Sequence, residues 1–136
     1  EVIFSSPMVH RLFENPEGEC RRYYEKLGNY PVMHVLSFKQ EHGDTFPELP
    51  ASLISMWDDA HAQAHEAYID YNYTMMPFGR FSFERSEGEF RDNTWRSGLA
   101  ANLSNLERFI GYMADQLLIP EEFPPEELFH HSVRDT

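Results

Sequence analysis

The stretch 99–120, LAANLSNLERFIGYMADQLLIP, carries the clearest structural pattern in this sequence of 136 residues. Its large apolar residues recur in steps of four and three, the spacing of one face of an α-helix. They are Leu99, Leu103, Leu106, Ile110, Met113 and Leu117. Pro120 cannot continue a helix, because proline lacks the backbone N–H and its ring clashes with the preceding turn. The pattern therefore predicts a long amphipathic helix that buries its leucine face.

A second long helix is predicted over about residues 51–73, with Pro77 and Gly79 ending it. Its apolar residues are again three and four positions apart. They are Leu53, Trp57, Ala60, Ala64, Tyr68 and Tyr71. A shorter helix is predicted between Asn15-Pro16, which read as an N-cap and a first helical residue, and Gly28, which reads as a C-cap.

Two segments predict β-structure. Residues 32–38 are largely apolar and include the β-branched Val32 and Val35, which favours a strand. Phe81 and Phe83 alternate with polar residues, and residues 89–93 follow a turn at 86–88, so this region predicts a hairpin.

Together these elements predict a helix-dominated α+β fold in one globular domain over residues 1–136. Two long amphipathic helices would pack with a small sheet or hairpin. An acidic tail begins at about residue 120, and Pro125 predicts the start of one more short helix.

The charge of the chain is strongly negative, with 23 acidic residues against 11 lysines and arginines, a net charge of −12. Residues 40–79 contain no lysine or arginine. Nucleic-acid binding needs a cationic surface, so this composition disfavours it. It favours a basic or mixed protein surface as partner. A further interpretation is that the chain imitates the phosphates of a nucleic acid, which requires its carboxylates to lie in rows on one surface.

The sequence has no apolar run of the roughly 20 residues that span a bilayer, and no membrane association is predicted. Cys20 is the single cysteine. No intrachain disulfide can form, which is typical of a reducing, cytoplasmic compartment.

Asp58, His61 and His65 follow one another on the shoulder of the second helix. Two histidines four positions apart can bind one metal ion, and Asp58 would be a third ligand or orient an imidazole. The glutamate of zinc proteases is missing, because Ala62-Gln63-Ala64 separates the histidines. A di-iron pattern is half matched, by Asp58 with His61 and by Glu127 with His130. The alternative is that these histidines only border the core.

The sequence contains no complete catalytic set and no nucleotide-binding motif. It therefore favours a non-enzymatic protein–protein interaction module, such as an inhibitor, an immunity or anti-defence protein, or a small subunit of an assembly. The alternative is a metal-dependent hydrolase that uses Asp58, His61 and His65, with a divalent metal as its cofactor; otherwise no cofactor is predicted. The oligomeric state is left open. The residues predicted to bind a partner lie in an aromatic- and methionine-rich turn and in the acidic tail: Tyr73, Met75, Met76, Glu121, Glu122, Glu126 and Glu127.

Overall fold

A computed structural model describes residues 6–70, 72, 75–90 and 95–136 of the chain. Five α-helices lie in these residues: α1 (Pro16–Leu27), α2 (Gln40–Thr45), α3 (Leu49–Ile69), α4 (Gly79–Phe90) and α5 (Leu99–Asp115). Two short 3-10 helices follow, at Pro125–Leu128 and His131–Val133. The described residues contain no strand. The predicted α+β fold with a sheet or hairpin is therefore wrong, and the architecture is helical.

The chain divides into two compact units, Glu1–Tyr30 and Pro31–Thr136. The first unit contains α1, which begins and ends as predicted. Asn15 accepts a hydrogen bond from the Gly18 backbone N–H at 3.0 Å, as an N-cap does. At the other end Gly28 adopts a left-handed conformation with φ of 72°. The second unit holds the remaining helices, and the prediction of one domain over residues 1–136 stays a prediction.

The predicted strand at residues 32–38 is a segment without regular secondary structure. Its apolar residues are largely exposed, Val35 by 77% and Leu36 by 64% of the full accessibility of the residue. β-Branched composition favours a strand only where a neighbouring strand can pair with it. The part of the chain that the structure describes offers no such neighbour to this segment.

The predicted hairpin is instead the helix α4, apart from residues 91–93, which lie outside the described residues. Alternation at Phe81 and Phe83 fits a strand, but helical spacing also fits this segment. Arg80 donates a hydrogen bond to Glu84 at 2.7 Å, an (i, i+4) ion pair that supports a helix. The less exposed positions of this helix are Gly79, Arg80, Phe83 and Phe90. Phe83 follows Gly79 by four positions and Arg80 by three, and Phe90 follows Phe83 by seven, which is helical spacing. The helical period therefore describes this segment better than the strand period.

The helix α3 matches the second predicted long helix but ends at Ile69 rather than near residue 73. The helix α2 and the 3-10 helix His131–Val133 both contact α3, and so does α4. Its predicted apolar stripe is only partly covered, because Trp57 is 54% exposed and Tyr68 47%.

The helix α5 confirms the leucine pattern up to Met113, but Leu117 lies beyond the end of the helix at Asp115 and is 88% exposed. Leu99, Leu106 and Ile110 are buried at 7% exposure or less, and the 3-10 helix Pro125–Leu128 packs on α5. The helix ends before Pro120: Leu117 takes a φ of 58°, and the Leu118 N–H donates to the Met113 carbonyl. This is a left-handed helix end of the kind that glycine usually makes.

The last residues fold back onto the start of α5. The Ala100 backbone N–H donates to the Thr136 carbonyl at 2.6 Å, which satisfies one N–H group at the helix start. The Thr136 hydroxyl donates to the Val133 carbonyl, and the Val133 side chain is buried. These contacts fix the segment that contains His130 and His131. No helix in the described part of the chain combines the length and the apolar character needed to cross a bilayer.

Candidate functional site

Asp44, His130 and His131 form the main cluster of chemically active side chains in the second unit. Each offers one ligand atom, and these atoms lie within 4.8 Å of one another. Among the described residues, no other group of three histidines, cysteines or carboxylates meets this distance. Asp44 comes from α2 and the histidines from the C-terminal 3-10 segment, so the cluster joins parts of the chain that are 86 positions apart.

His130 is the fixed member of this cluster, since its side chain is 5% exposed. Its ring packs against the backbone of Gly43, where a Cβ atom would lie 2.8 Å from the His130 Cδ2 atom. The Phe38 ring lies at a centroid distance of 6.4 Å and the His131 ring at 4.1 Å. The packing thus leaves the His130 imidazole little freedom to rotate.

Both ring nitrogens of His130 have polar neighbours. Nδ1 lies 2.8 Å from the Ser132 hydroxyl, and Nε2 lies 3.4 Å from Oδ1 of Asp44. Asp44 is itself 54% exposed, and His131 is exposed. The cluster therefore pairs one rigid imidazole with two ligand groups that solvent can reach. This arrangement suits proton transfer or the binding of a cation.

The residues predicted as a helical metal site have separate contacts. Asp58 accepts a hydrogen bond from the Ser97 hydroxyl at 2.6 Å. His65 lies 3.0 Å from Glu87 of α4 and makes an edge contact with the Phe83 ring. His61 is exposed. The structure does not bring these three residues together as it does Asp44, His130 and His131, and their metal binding stays a prediction.

The residues predicted to bind a partner are exposed where they are described. Met75 is 99% exposed and Met76 is 67% exposed. The four tail glutamates Glu121, Glu122, Glu126 and Glu127 are also exposed. Tyr73 lies outside the described residues. A basic or mixed partner surface therefore stays a prediction.

The sequence pattern marks His130 only through its pairing with Glu127 in the half-matched di-iron template, and it marks neither Asp44 nor His131 as a ligand. The adjacent pair His130-His131 was the available signal. Asp44 gave none, because an exposed aspartate in a short polar segment is ordinary. Only the fold of the C-terminal segment against α2 brings these residues together.

Comparison with known proteins relates the chain to an enzyme. No family model matches it. The chain is 27% identical over 126 residues to 4,5-dihydroxyphthalate decarboxylase from Comamonas testosteroni. The aligned part is 91% of this chain, and the chain spans 38% of the length of that relative.

This similarity contradicts the prediction of a non-enzymatic inhibitor, immunity or anti-defence module. The similar protein is named for an enzymatic activity, and that activity is a decarboxylation rather than a hydrolysis. The absence of a recognisable catalytic motif in the sequence was therefore a poor guide to whether the chain is related to an enzyme.

Proposed function

We propose that the protein carrying this chain is a decarboxylase of hydroxylated aromatic carboxylic acids. The observation that carries the proposal is the similarity to 4,5-dihydroxyphthalate decarboxylase, which extends over 91% of the chain rather than over one short motif. Because the chain spans 38% of that relative, the activity is proposed for the whole protein that carries this sequence and not for these 136 residues alone.

The chemistry of such a substrate defines what a site must supply. A hydroxyl group para to the carboxylate donates electron density, so the ring carbon that bears the carboxylate can accept a proton. The bond from this carbon to the carboxylate then breaks, CO₂ leaves, and the electron pair restores the aromatic ring. One proton is taken up for each CO₂ released, so the site must supply a proton donor and hold the carboxylate.

The electrostatics of the chain restrict where an anionic substrate can bind. With a net charge of −12, these 136 residues repel a dicarboxylate except close to local cationic groups. Several arginines already contact carboxylates, including Arg21 with Glu17 and Arg80 with Glu84. The cluster of Asp44, His130 and His131 supports the proposal, because its imidazoles can carry protons or bind a cation next to an anionic substrate.

The direct test uses the full natural protein and substrate labelled with ¹³C in its carboxyl groups. We expect labelled CO₂ and 3,4-dihydroxybenzoate from 4,5-dihydroxyphthalate. Unsubstituted phthalate should not react, because it lacks the electron-donating hydroxyls. If 4,5-dihydroxyphthalate and related hydroxybenzoates release no CO₂ above a protein-free control, the proposed function is wrong.

The compartment is also part of the proposal. We propose a reducing, cytoplasmic setting, supported by the single cysteine of the sequence.

A further inference from the structure

We propose that Asp44, His130 and His131 bind one divalent transition-metal ion. Two ligand atoms of a tetrahedral zinc ion, each at about 2.0–2.1 Å, are about 3.3 Å apart. His130 Nε2 and Asp44 Oδ1 already lie 3.4 Å apart. The whole set lies within 4.8 Å, and His131 is exposed, so rotation of its side chain can close the remaining distance.

The surroundings of His130 suit a metal ligand. Binding through Nε2 requires a lone pair there, so the ring proton must sit on Nδ1. The Ser132 hydroxyl lies 2.8 Å from Nδ1 and can accept that proton in a hydrogen bond. Protonation of Nδ1 then replaces the longer hydrogen bond, 3.4 Å, that this nitrogen accepts from the Ser132 backbone N–H. Metal-binding histidines usually donate their second N–H in this way, which fixes the ring and raises its basicity. Gly43 and Phe38 restrict the same ring by packing.

The ligand set defines the class of ion. Two imidazoles and one carboxylate bind zinc in hydrolytic enzymes and Fe(II) in oxygenases, and they leave coordination positions open. An open position that solvent reaches can take a water molecule or a carboxylate of a small anion. The inference rests on geometry alone and does not depend on the proposed decarboxylase activity.

The test is metal binding by the full natural protein, freed of purification tags and stripped with a chelator. Isothermal titration with Zn²⁺ and the visible absorption of bound Co²⁺ report affinity and geometry without an activity assay. We expect one ion per chain and a tetrahedral or five-coordinate Co²⁺ spectrum. His131→Ala and Asp44→Asn change exposed groups, so both variants should fold. Each should weaken binding by about 10- to 100-fold or more, since even loss of a partner outside the ligand set has that effect.

Two further variants sharpen the test. Ser132→Ala keeps all three ligands and should weaken binding by about 10-fold, because it removes the acceptor for Nδ1–H. His61→Ala is the matched control, an exposed histidine outside the cluster, and should leave affinity unchanged. The inference is overturned if the wild-type protein binds no ion, or if His131→Ala binds as the wild type does. Loss of the ion in His61→Ala alone would also overturn it and would favour the site on α3.

Discussion

The His130 ring occupies the space beside Gly43, so that a Cβ atom on Gly43 would lie 2.8 Å from Cδ2 and 3.0 Å from Nε2 of that ring. Real Cβ atoms essentially never come so close to another heavy atom. His130 is almost fully buried and cannot simply move into solvent. Glycine at this position thus lets α2 and the C-terminal segment approach each other.

Gly43→Ala should therefore destabilise the protein. Overpacking costs about 1–3 kcal/mol. Alanine is about 0.5–1 kcal/mol more favourable than glycine inside a helix, which offsets part of that cost. We expect a net loss of about 1 kcal/mol in the free energy of unfolding, measured by urea denaturation.

The matched control is Gly88→Ala in α4, where a Cβ atom would meet nothing within 4 Å. That variant should gain about 0.5–1 kcal/mol in the free energy of unfolding. If both glycine variants are stabilised equally, His130 does not pack on Gly43 as described.

Ile110→Ala tests whether the leucine face of α5 forms the core. Ile110 is 2% exposed, so its truncation should cost about 2–5 kcal/mol in the free energy of unfolding. Glu107→Ala changes an exposed position of the same helix and should stay within about 0.5 kcal/mol of wild type. Similar urea midpoints for the two variants would contradict the described core.

Local signals allowed α1 and α5 to be predicted from the sequence. Asn15-Pro16 and Gly28 define the ends of α1 by backbone conformations that few other residues adopt as readily. The leucine repeat of α5 extends over several turns, so no strand period fits it. These patterns need only neighbours in the sequence.

The rest of the fold and the candidate site depend on contacts between residues that are far apart in the sequence. Phe81 and Phe83 satisfy a strand and a helix equally, and the packing of Phe83 against His65 and Tyr68 favours the helix. Residues 32–38 have strand composition, but a strand also needs a partner. Asp44 meets His130 across 86 positions, and no periodicity reports such a pair.

Tyr30 gives a prediction for alkaline pH. Partial burial raises the pKa of its phenol above the ordinary value of 10.0, and the nearby Cys20 thiol raises it further. Because the pKa of Tyr30 is higher in the folded state than in the unfolded state, its neutral phenol stabilises the fold at every pH below the unfolded-state pKa. This contribution is lost as the pH rises through the folded pKa. Absorbance titration of tyrosinate should therefore show one phenol ionising late, and Tyr30→Phe should remove it.

Cys20→Ala provides the second arm of that experiment. It should lower the pKa of Tyr30 only in part, because burial, the larger cause, remains. A late-ionising phenol that persists in Tyr30→Phe would show that another tyrosine is responsible.

The contact between α3 and α4 combines aromatic packing with a polar contact that is an ion pair when the His65 imidazole is protonated. Nε2 of His65 lies 3.0 Å from Oε2 of Glu87, and both side chains are more than a third exposed. The Phe83 ring lies 5.3 Å from the His65 ring in an edge contact and 5.7 Å from the Tyr68 ring in a stacked one. Exposed ion pairs contribute about 0–1 kcal/mol, whereas aromatic pairs add about 0.5–1.5 kcal/mol to the burial of their area.

We therefore expect packing by Phe83, rather than the ion pair, to hold α4 against α3. A double-mutant cycle with His65→Gln and Glu87→Gln should give a coupling below about 1 kcal/mol, and salt should reduce it further. Phe83→Ala should cost about 2 kcal/mol or more in the free energy of unfolding, with little dependence on salt. Urea denaturation of the five proteins (wild type, the two single variants, the double variant and Phe83→Ala) at low and high salt measures both effects. If the coupling is salt-sensitive and larger than the cost of Phe83→Ala, then the interaction between His65 and Glu87, rather than packing by Phe83, holds α4 against α3. Salt identifies it, because only an interaction between charges is screened by salt.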